Sequence, residues 1–195
     1  MRIGVVSDTH GFFDPQLTPL LQGVDEVLHG GDVGSQLVLD QLRTIAPLHA
    51  VQGNVDAASL GLAPTVTRRF GWVEIHMLHQ LPGPQSALHE WAQASLLKGK
   101  PAEDCRRFLG SLPAPCQVVI FGHSHEFCAL ILGGKLFFNP GSAGKKRFSL
   151  PRCCGLLEVS GRGLRATFLG LEGYNQNLPE GVWLPIEGAK ACGNC

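Results

Sequence analysis

The strongest constraint on this chain is a join that recurs along it. A short apolar run meets a polar, glycine-marked turn at residues 7–11 (Ser-Asp-Thr-His-Gly), 30–32 (Gly-Gly-Asp), 53–54 (Gly-Asn) and 122–125 (Gly-His-Ser-His). The runs before these turns are rich in Ile, Val and Leu, as expected of strands buried on both faces. Between the first three lie segments with helical signals. Pro15 opens a short helix to about Gln22, with Asp14 as N-cap, and Ser35 caps another in which Leu37, Leu39, Leu42 and Ile45 recur. Strand, polar turn and helix therefore alternate, which predicts an α/β fold with its ligand edge at the strand ends.

The second half reads differently. Residues 65–70 and 73–78 predict a hairpin across Gly71 that feeds His79. Helices are expected over 86–97 and 103–109, and a buried strand over 117–121. Further strands follow at 128–132, 135–138, 155–159 and 164–169, their glycine-rich breaks suggesting antiparallel pairing. The expected packing is two stacked sheets with helices outside. Residues 1–173 form the expected domain, and 174–195 a polar, Gly/Pro-rich C-terminal extension.

Composition narrows function. The chain has 195 residues, 44% of them hydrophobic and 16% charged, enough for one compact core. Lys+Arg and Asp+Glu are both 16, so no net charge favours nucleic acid. A small phosphorylated substrate is compatible with this neutrality if bound metals supply the positive charge. Neither a secretory signal nor a membrane-length apolar run is read, so a cytoplasmic location without membrane contact is expected. The seven cysteines, odd in number and mostly scattered, read as buried thiols in a reducing compartment.

The polar turns carry metal-ligand chemistry. Asp8 and His10 are two apart, a spacing that puts both side chains on one face of extended backbone, and His123 and His125 repeat it. Asp32 follows two glycines that permit close backbone approach. A carboxylate can bridge two cations, and Asn54 offers a neutral amide oxygen. With His79, such donors suit Mn²⁺, Fe²⁺, Ni²⁺ or Zn²⁺. Taken singly, Asp-x-His, Gly-Gly-Asp and Gly-Asn are ordinary turns. Their joint occurrence at successive strand ends points to one site, the minimum kit for two-metal hydrolysis of a phosphate ester. His29 is a candidate for supporting this site, whereas His49, His76 and His89 have no motif context.

The order Asp-x-His, Gly-Asp, Gly-Asn-x-Asp, a lone His, Gly-His-x-His and Asn-Pro-Gly-Ser resembles the calcineurin-like metallophosphoesterase superfamily. Within it, the chain is similar to small bacterial and archaeal phosphodiesterases of the YfcE type, over roughly residues 1–169. The resemblance implies a four-layer α/β/β/α sandwich of two mixed β-sheets flanked by helices, the metallo-dependent phosphatase-like fold. It also implies two divalent metal ions, Mn²⁺ foremost. One would be held by Asp8, His10, Asp32 and His125, the other by Asp32, Asn54, His79 and His123, with Asp32 bridging. Asp32, Asn54 and His10 would be the catalytic residues, and water between the metals would attack phosphorus. Asn139, Gly141 and Ser142 match the family's loop and are candidate substrate contacts.

Two departures stand out. The family often has His-Gly where this chain has His79-Gln80, which makes His79 the least secure ligand. Larger relatives have Gly-Asn-His, whose histidine can serve as a general acid, whereas Val55 and Asp56 follow Asn54 here. Asp56 is expected to orient a ligand from behind. Without an obvious proton donor, aryl phosphodiesters with good leaving groups are the expected substrates. A phosphomonoesterase or nucleotide hydrolase on the same site, and a protein-binding scaffold similar to the retromer subunit of this fold, are the alternatives. The 80–115 segment is a candidate lid. Lys145, Lys146 and Arg147 read as a solvated run before a phosphate-steering one, and a cysteine-held structural zinc is the weaker reading of the Cys153-Cys154 and 192–195 pairs.

Overall fold

A computed structural model describes residues 1–98, 102–113, 115–146, 149–171, 178–179 and 181–185. The first half builds β1 (Arg2–Val6), α1 (Leu17–Leu20), β2 (Glu26–His29), α2 (Gln36–Arg43) and β3 (Leu48–Ala50). β1, β2 and β3 pair in parallel, as connections through helices require. The remaining strands are β4 (Thr65–Phe70), β5 (Val73–Leu78), β6 (Val118–Ile120), β7 (Cys128–Leu132), β8 (Lys135–Asn139), β9 (Cys153–Val159), β10 (Gly163–Gly170) and β11 (Val182–Pro185). Helices α3 (Gln85–Lys98) and α4 (Glu103–Ser111) lie between β5 and β6.

Among the described residues there are two mixed sheets, ordered β11-β10-β9-β1-β2-β3 and β4-β5-β6-β8-β7. The predicted hairpin is present with its register centred on Gly71-Trp72. The antiparallel expectation holds for β7 with β8 and β9 with β10, while β6 runs parallel to both β5 and β8.

Side-chain alternation along each strand assembles the layers. Ile3 and Val5 of β1 meet Ile75, Val118, Ile120, Leu136 and Phe138 in the core between the sheets. Val6 faces the other way, into a layer with Leu17, Leu21, Val38 and Leu42 from α1 and α2. On the far side, Val119 and Phe137 turn outward to Leu88 of α3, Phe108 of α4 and Leu112 just after it. The result is the expected α/β/β/α order.

Three local expectations change. The helix after Pro15 is a single turn, Leu17–Leu20, and its N-cap is Gln16 rather than Asp14, whose carboxylate is engaged elsewhere. One Asp14 oxygen accepts the Gln16 N–H at 2.8 Å, and the other pairs with the buried Arg152 guanidinium. The supposed extension contributes β11, which pairs antiparallel with β10 and buries Leu184 between the sheets. Trp183 therefore packs on its own domain and stays 46% exposed. Residues 186–195, including Cys192 and Cys195, lie outside the described residues. No described helix is long and apolar enough to cross a membrane.

Candidate metal centre

The turns that end β1, β2, β5 and β6, with the loop after β3, converge at one edge. Asp8 N–H donates to the Gly31 carbonyl (3.0 Å), His10 N–H to Asp32 O (2.9 Å) and Gly11 N–H to Val33 O (2.8 Å). The first two ligand turns are thus zipped together through backbone. The extended geometry expected for Asp8 and His10 is not what forms. Asp8 (φ 55°), His10 (48°), Asp32 (53°), His123 (70°) and His125 (60°) all adopt left-handed backbone, and they are the non-glycine residues of the described chain with positive φ. Each such residue costs about 1–2 kcal/mol. Strain confined to candidate ligands fits a constellation held by its surroundings for a purpose other than stability.

Two close glycine approaches explain part of the sequence. A Cβ on Gly31 would stand 2.6 Å from the His79 ring, and one on Gly122 would stand 2.1 Å from Ser7 Oγ and 2.5 Å from Asp8 Oδ2. Asp8 is fully buried, accepting from the Ser7 hydroxyl (2.6 Å) and the His123 N–H (3.2 Å). The donor atoms then crowd together. His10 Nε2 lies 3.1 Å from His125 Nε2, and His125 Nε2 lies 3.4 Å from Asp8 Oδ1. His79 Nε2 lies 3.3 Å from Asp32 Oδ2 and 3.0 Å from Asn54 Oδ1, and His123 Nδ1 stands 3.0 Å from the same amide oxygen. Asp8, His10 and His125 present donor atoms within 4.8 Å of one another, as do Asp8, Asp32 and His79.

Asp32 occupies the middle. Its Oδ1 accepts the Val55 N–H at 3.0 Å, which leaves Oδ2 facing His79 at 3.3 Å and His10 at 3.8 Å. Of the two carboxylate oxygens, Oδ2 is the one turned toward both imidazoles. Burial works to raise the Asp32 pKa. The His79 hydrogen bond, the Val55 N–H and the nearby imidazoles outweigh it and hold the carboxyl at about 2. His79 is the mirror case. Burial opposes its protonation, but Asp32, the Gly30 carbonyl and Asp8 raise its pKa above the ordinary value.

Behind the donors stand three supports. His79 Nδ1 donates to Gly30 O at 2.8 Å, which aims Nε2 into the site. The buried Asp56 carboxylate accepts from the N–H groups of Val33 (3.1 Å), Gly34 (2.7 Å) and Gly53 (2.8 Å), tying the Asp32 and Asn54 turns together. His29 is fully buried beside Thr9. The Thr9 hydroxyl donates to Val33 O (3.0 Å), so it accepts from His29 Nε2 (3.0 Å), while His29 Nδ1 accepts from Gly31 N–H (3.2 Å). That network requires neutral imidazole, and burial lowers the His29 pKa to about 4.

The Asn-Pro-Gly-Ser loop is frame rather than contact surface. Asn139 is fully buried, its amide N–H donating to Gly122 O and Ser124 Oγ (both 3.0 Å) and to Gln85 Oε1 (3.1 Å). Gly141 is buried at φ 82°, and the Ser142 hydroxyl donates to Asp8 O at 3.0 Å. Their polar groups shape the Asp8 and His123 turns and leave little for substrate. Sequence alone does not reveal Ser7, Thr9 and Gln85 as parts of this frame, because their partners lie far along the chain.

Other candidates fall away from the site. His49 sits 3.4 Å from Glu26, His76 bonds Thr67 Oγ1 at 2.8 Å, and His89 is exposed. Cys153 and Cys154 are buried thiols whose pKa values burial pushes up, to about 12 for Cys153, which disfavours the thiolate a metal needs. Lys145 is exposed, its ammonium 5.8 Å above the Phe12 ring, and Arg147 lies outside the described residues. In the 80–115 segment, α3 and α4 pack on the second sheet, and its first turn reaches His123 across a cleft.

The donor set of carboxylate, amide and imidazole groups fits divalent metal ions. At His10 and His125 the two Nε2 atoms stand 3.1 Å apart, close enough for one cation to take both. Comparison with known proteins agrees. Residues 1–162 match the calcineurin-like phosphoesterase superfamily domain. A probable metallophosphoesterase of Methanothermobacter thermautotrophicus is 30% identical over 180 residues, covering 87% of this chain and 92% of that one. Among solved structures, wild-type Vps29 of Entamoeba histolytica complexed with Zn²⁺ aligns with a TM-score of 0.67 at 26% identity, covering 94% of this chain and 99% of that one. The E. coli phosphoesterase YfcE shares the fold, with a TM-score of 0.64 at 21% identity over 94% of this chain and all of that one. The strained donor turns, the two mixed sheets and these matches together establish that the chain belongs to the calcineurin-like phosphoesterase superfamily.

Proposed function

We propose that this protein is a phosphodiesterase that hydrolyses a small phosphodiester at a centre of two divalent metal ions. The observation that carries the reading is the position of Asp32 Oδ2 between His10 and His79. Asp8, His10, Asp32 and His125 would hold one ion, and Asp32, Asn54, His79 and His123 the other. When bound, the metals supply Lewis-acid polarisation of the phosphoryl oxygens and activation of water.

The chain's own residues do the rest. Asp8 and Asp32 keep two anionic groups buried, so cations are favoured there. Asn54 adds an oxygen without charge and stands at the exposed side with His123, where a phosphoryl group would approach. Asp56 cannot act as a leaving-group acid, because backbone N–H groups occupy its oxygens. Val55 is 56% exposed and has no proton to give. These features support aryl or similarly good leaving groups. Two uncharged clefts flank Asn54, His79 and His123, which supports a diester with two neutral arms over a more highly charged monoester. The complete donor set supports the enzyme reading over the scaffold alternative.

The test is reloading of chelated protein with Mn²⁺, followed by hydrolysis of bis-p-nitrophenyl phosphate and p-nitrophenyl phosphate. Restored activity with preference for the diester is expected. No turnover with any divalent ion would sink the proposal, and activity on the monoester alone would replace diesterase by monoesterase.

A further inference from the structure

Beside the donors lies a cleft of about 530 Å³ between the 80–85 turn and the end of β6. Leu81, Pro82, Pro84 and Phe121 give it a mostly apolar lining, and His123 stands at its border with the metal centre. Its size falls in the range of small-molecule sites, roughly 300–1,000 Å³. No Lys, Arg, Asp or Glu lines it. The wall is already built. The Ser124 hydroxyl donates to Gln85 Oε1 at 2.8 Å, and Gln85 Nε2 donates to Glu126 O at 3.3 Å. A more open cleft of about 370 Å³ lies on the Asn54–His79 side and is equally uncharged. Gln80, which is exposed, lines both.

We infer that the larger cleft is a subsite for one ester arm of the substrate, and that this arm is a flat, uncharged aromatic group. The inference rests on the phosphodiesterase reading and adds to it the class of substituent. A second phosphate or a carboxylate would enter without a cation to meet it, at the cost of its hydration. An aromatic ring would exchange water chiefly for the exposed Pro82 and Pro84 rings, with the buried Leu81 and Phe121 forming the floor, while its phosphoryl group stays beside His123. Gln80 stands on the lining shared by the two clefts, so a bulky side chain there narrows both.

Gly83 makes the cleft testable. A Cβ at Gly83 meets nothing within 4 Å, and its backbone is not left-handed, so a large side chain enters open space. Neither Gly83 nor Gln80 is a candidate metal ligand. The probes are diphenyl phosphate, thymidine 5′-(methyl phosphate) and dimethyl phosphate, titrated calorimetrically into Mn²⁺-loaded wild type, Gly83→Trp and Gln80→Phe. Wild type is expected to bind an aromatic ester roughly ten-fold or more tightly than dimethyl phosphate, the gain from burying one ring. Both variants should erase that advantage while keeping wild-type affinity for dimethyl phosphate and Mn²⁺, which also controls for folding. The probe that shows the advantage identifies a simple aryl ring or a nucleobase as the arm. No aromatic advantage in wild type, or an advantage untouched by both variants, would overturn the inference. Hydrolysis of bis-p-nitrophenyl phosphate, followed in parallel, separates the two ideas: absent turnover with ring-dependent binding would overturn the enzyme reading and leave the cleft standing.

Discussion

His79 Nε2 lies 3.3 Å from Asp32 Oδ2, and the two side chains are only 4% and 5% exposed. Without a metal, this buried contact favours a protonated imidazole beside an ionised carboxylate. The imidazole pKa is raised and that of the carboxyl is lowered. A metal ion needs the same Nε2 lone pair, so the proton must leave. Nδ1 keeps its proton throughout, held by the Gly30 carbonyl.

Metal binding should therefore release protons and weaken on acidification. As pH falls through the raised pKa of His79, the proton competes with the cation. Mn²⁺ affinity is expected to be lower at pH 6 than at pH 8. Calorimetry in buffers of different ionisation enthalpy measures the proton release, and pH-independent affinity with none released would contradict the pair.

Asp56→Ala should loosen the site without touching a donor atom. It leaves the Val33, Gly34 and Gly53 N–H groups without their carboxylate. A loss of about 2–4 kcal/mol of stability is expected, together with a ten- to hundred-fold loss of Mn²⁺ affinity. Thermal unfolding and a metal titration check the two, and an unchanged metal affinity would reduce Asp56 to ordinary loop structure.

His29 gives stability a pH slope. Its folded pKa is near 4 against about 6.5 for a free imidazole. Between those values the unfolded chain binds a proton that the folded chain refuses, so stability is full above about pH 6.5 and falls toward pH 4. The loss is on the order of 3 kcal/mol, and His76, lowered by burial, adds to it in the same direction. Denaturant unfolding of wild type and His29→Gln from pH 7 to 4.5 should show a shallower slope in the variant. Identical slopes would contradict a buried neutral His29.

Val55→His tests the missing acid. Position 55 is exposed beside Asn54, so the replacement is tolerated. If leaving-group protonation limits poor substrates, the ratio of alkyl to aryl phosphodiester hydrolysis should rise roughly ten-fold or more. An unchanged ratio would show that the leaving group is not the limit.

The donor turns after β1, β2 and β6 are legible in the sequence because each follows a buried apolar run, whereas β3 is a half-buried edge strand and its turn is marked by Gly53-Asn54 itself. Periodicity also places both sheets and the Ser35 cap, which accepts the Val38 N–H at 3.4 Å. The conformation of the turns is another matter. Extended backbone is the reasonable expectation for Asp8 and His10. The left-handed geometry arises only when the 30–34 turn supplies carbonyl partners some twenty residues away. His79 reads weakly because a lone histidine after a strand has no local signature, and its Gly30 and Asp32 partners identify it in space. Arg152 is hidden for the same reason, since its salt bridge to Asp14 spans almost the whole domain. β11 escapes notice because a short edge strand in a polar segment lacks a strong period.

The most direct test of a two-metal centre is electron paramagnetic resonance during Mn²⁺ titration of the chelated protein. Ions that share Asp32 should give an exchange-coupled spectrum that saturates at two equivalents per chain. Saturation at one equivalent, or two equivalents with only the spectrum of isolated Mn²⁺, would contradict a dinuclear centre bridged by Asp32.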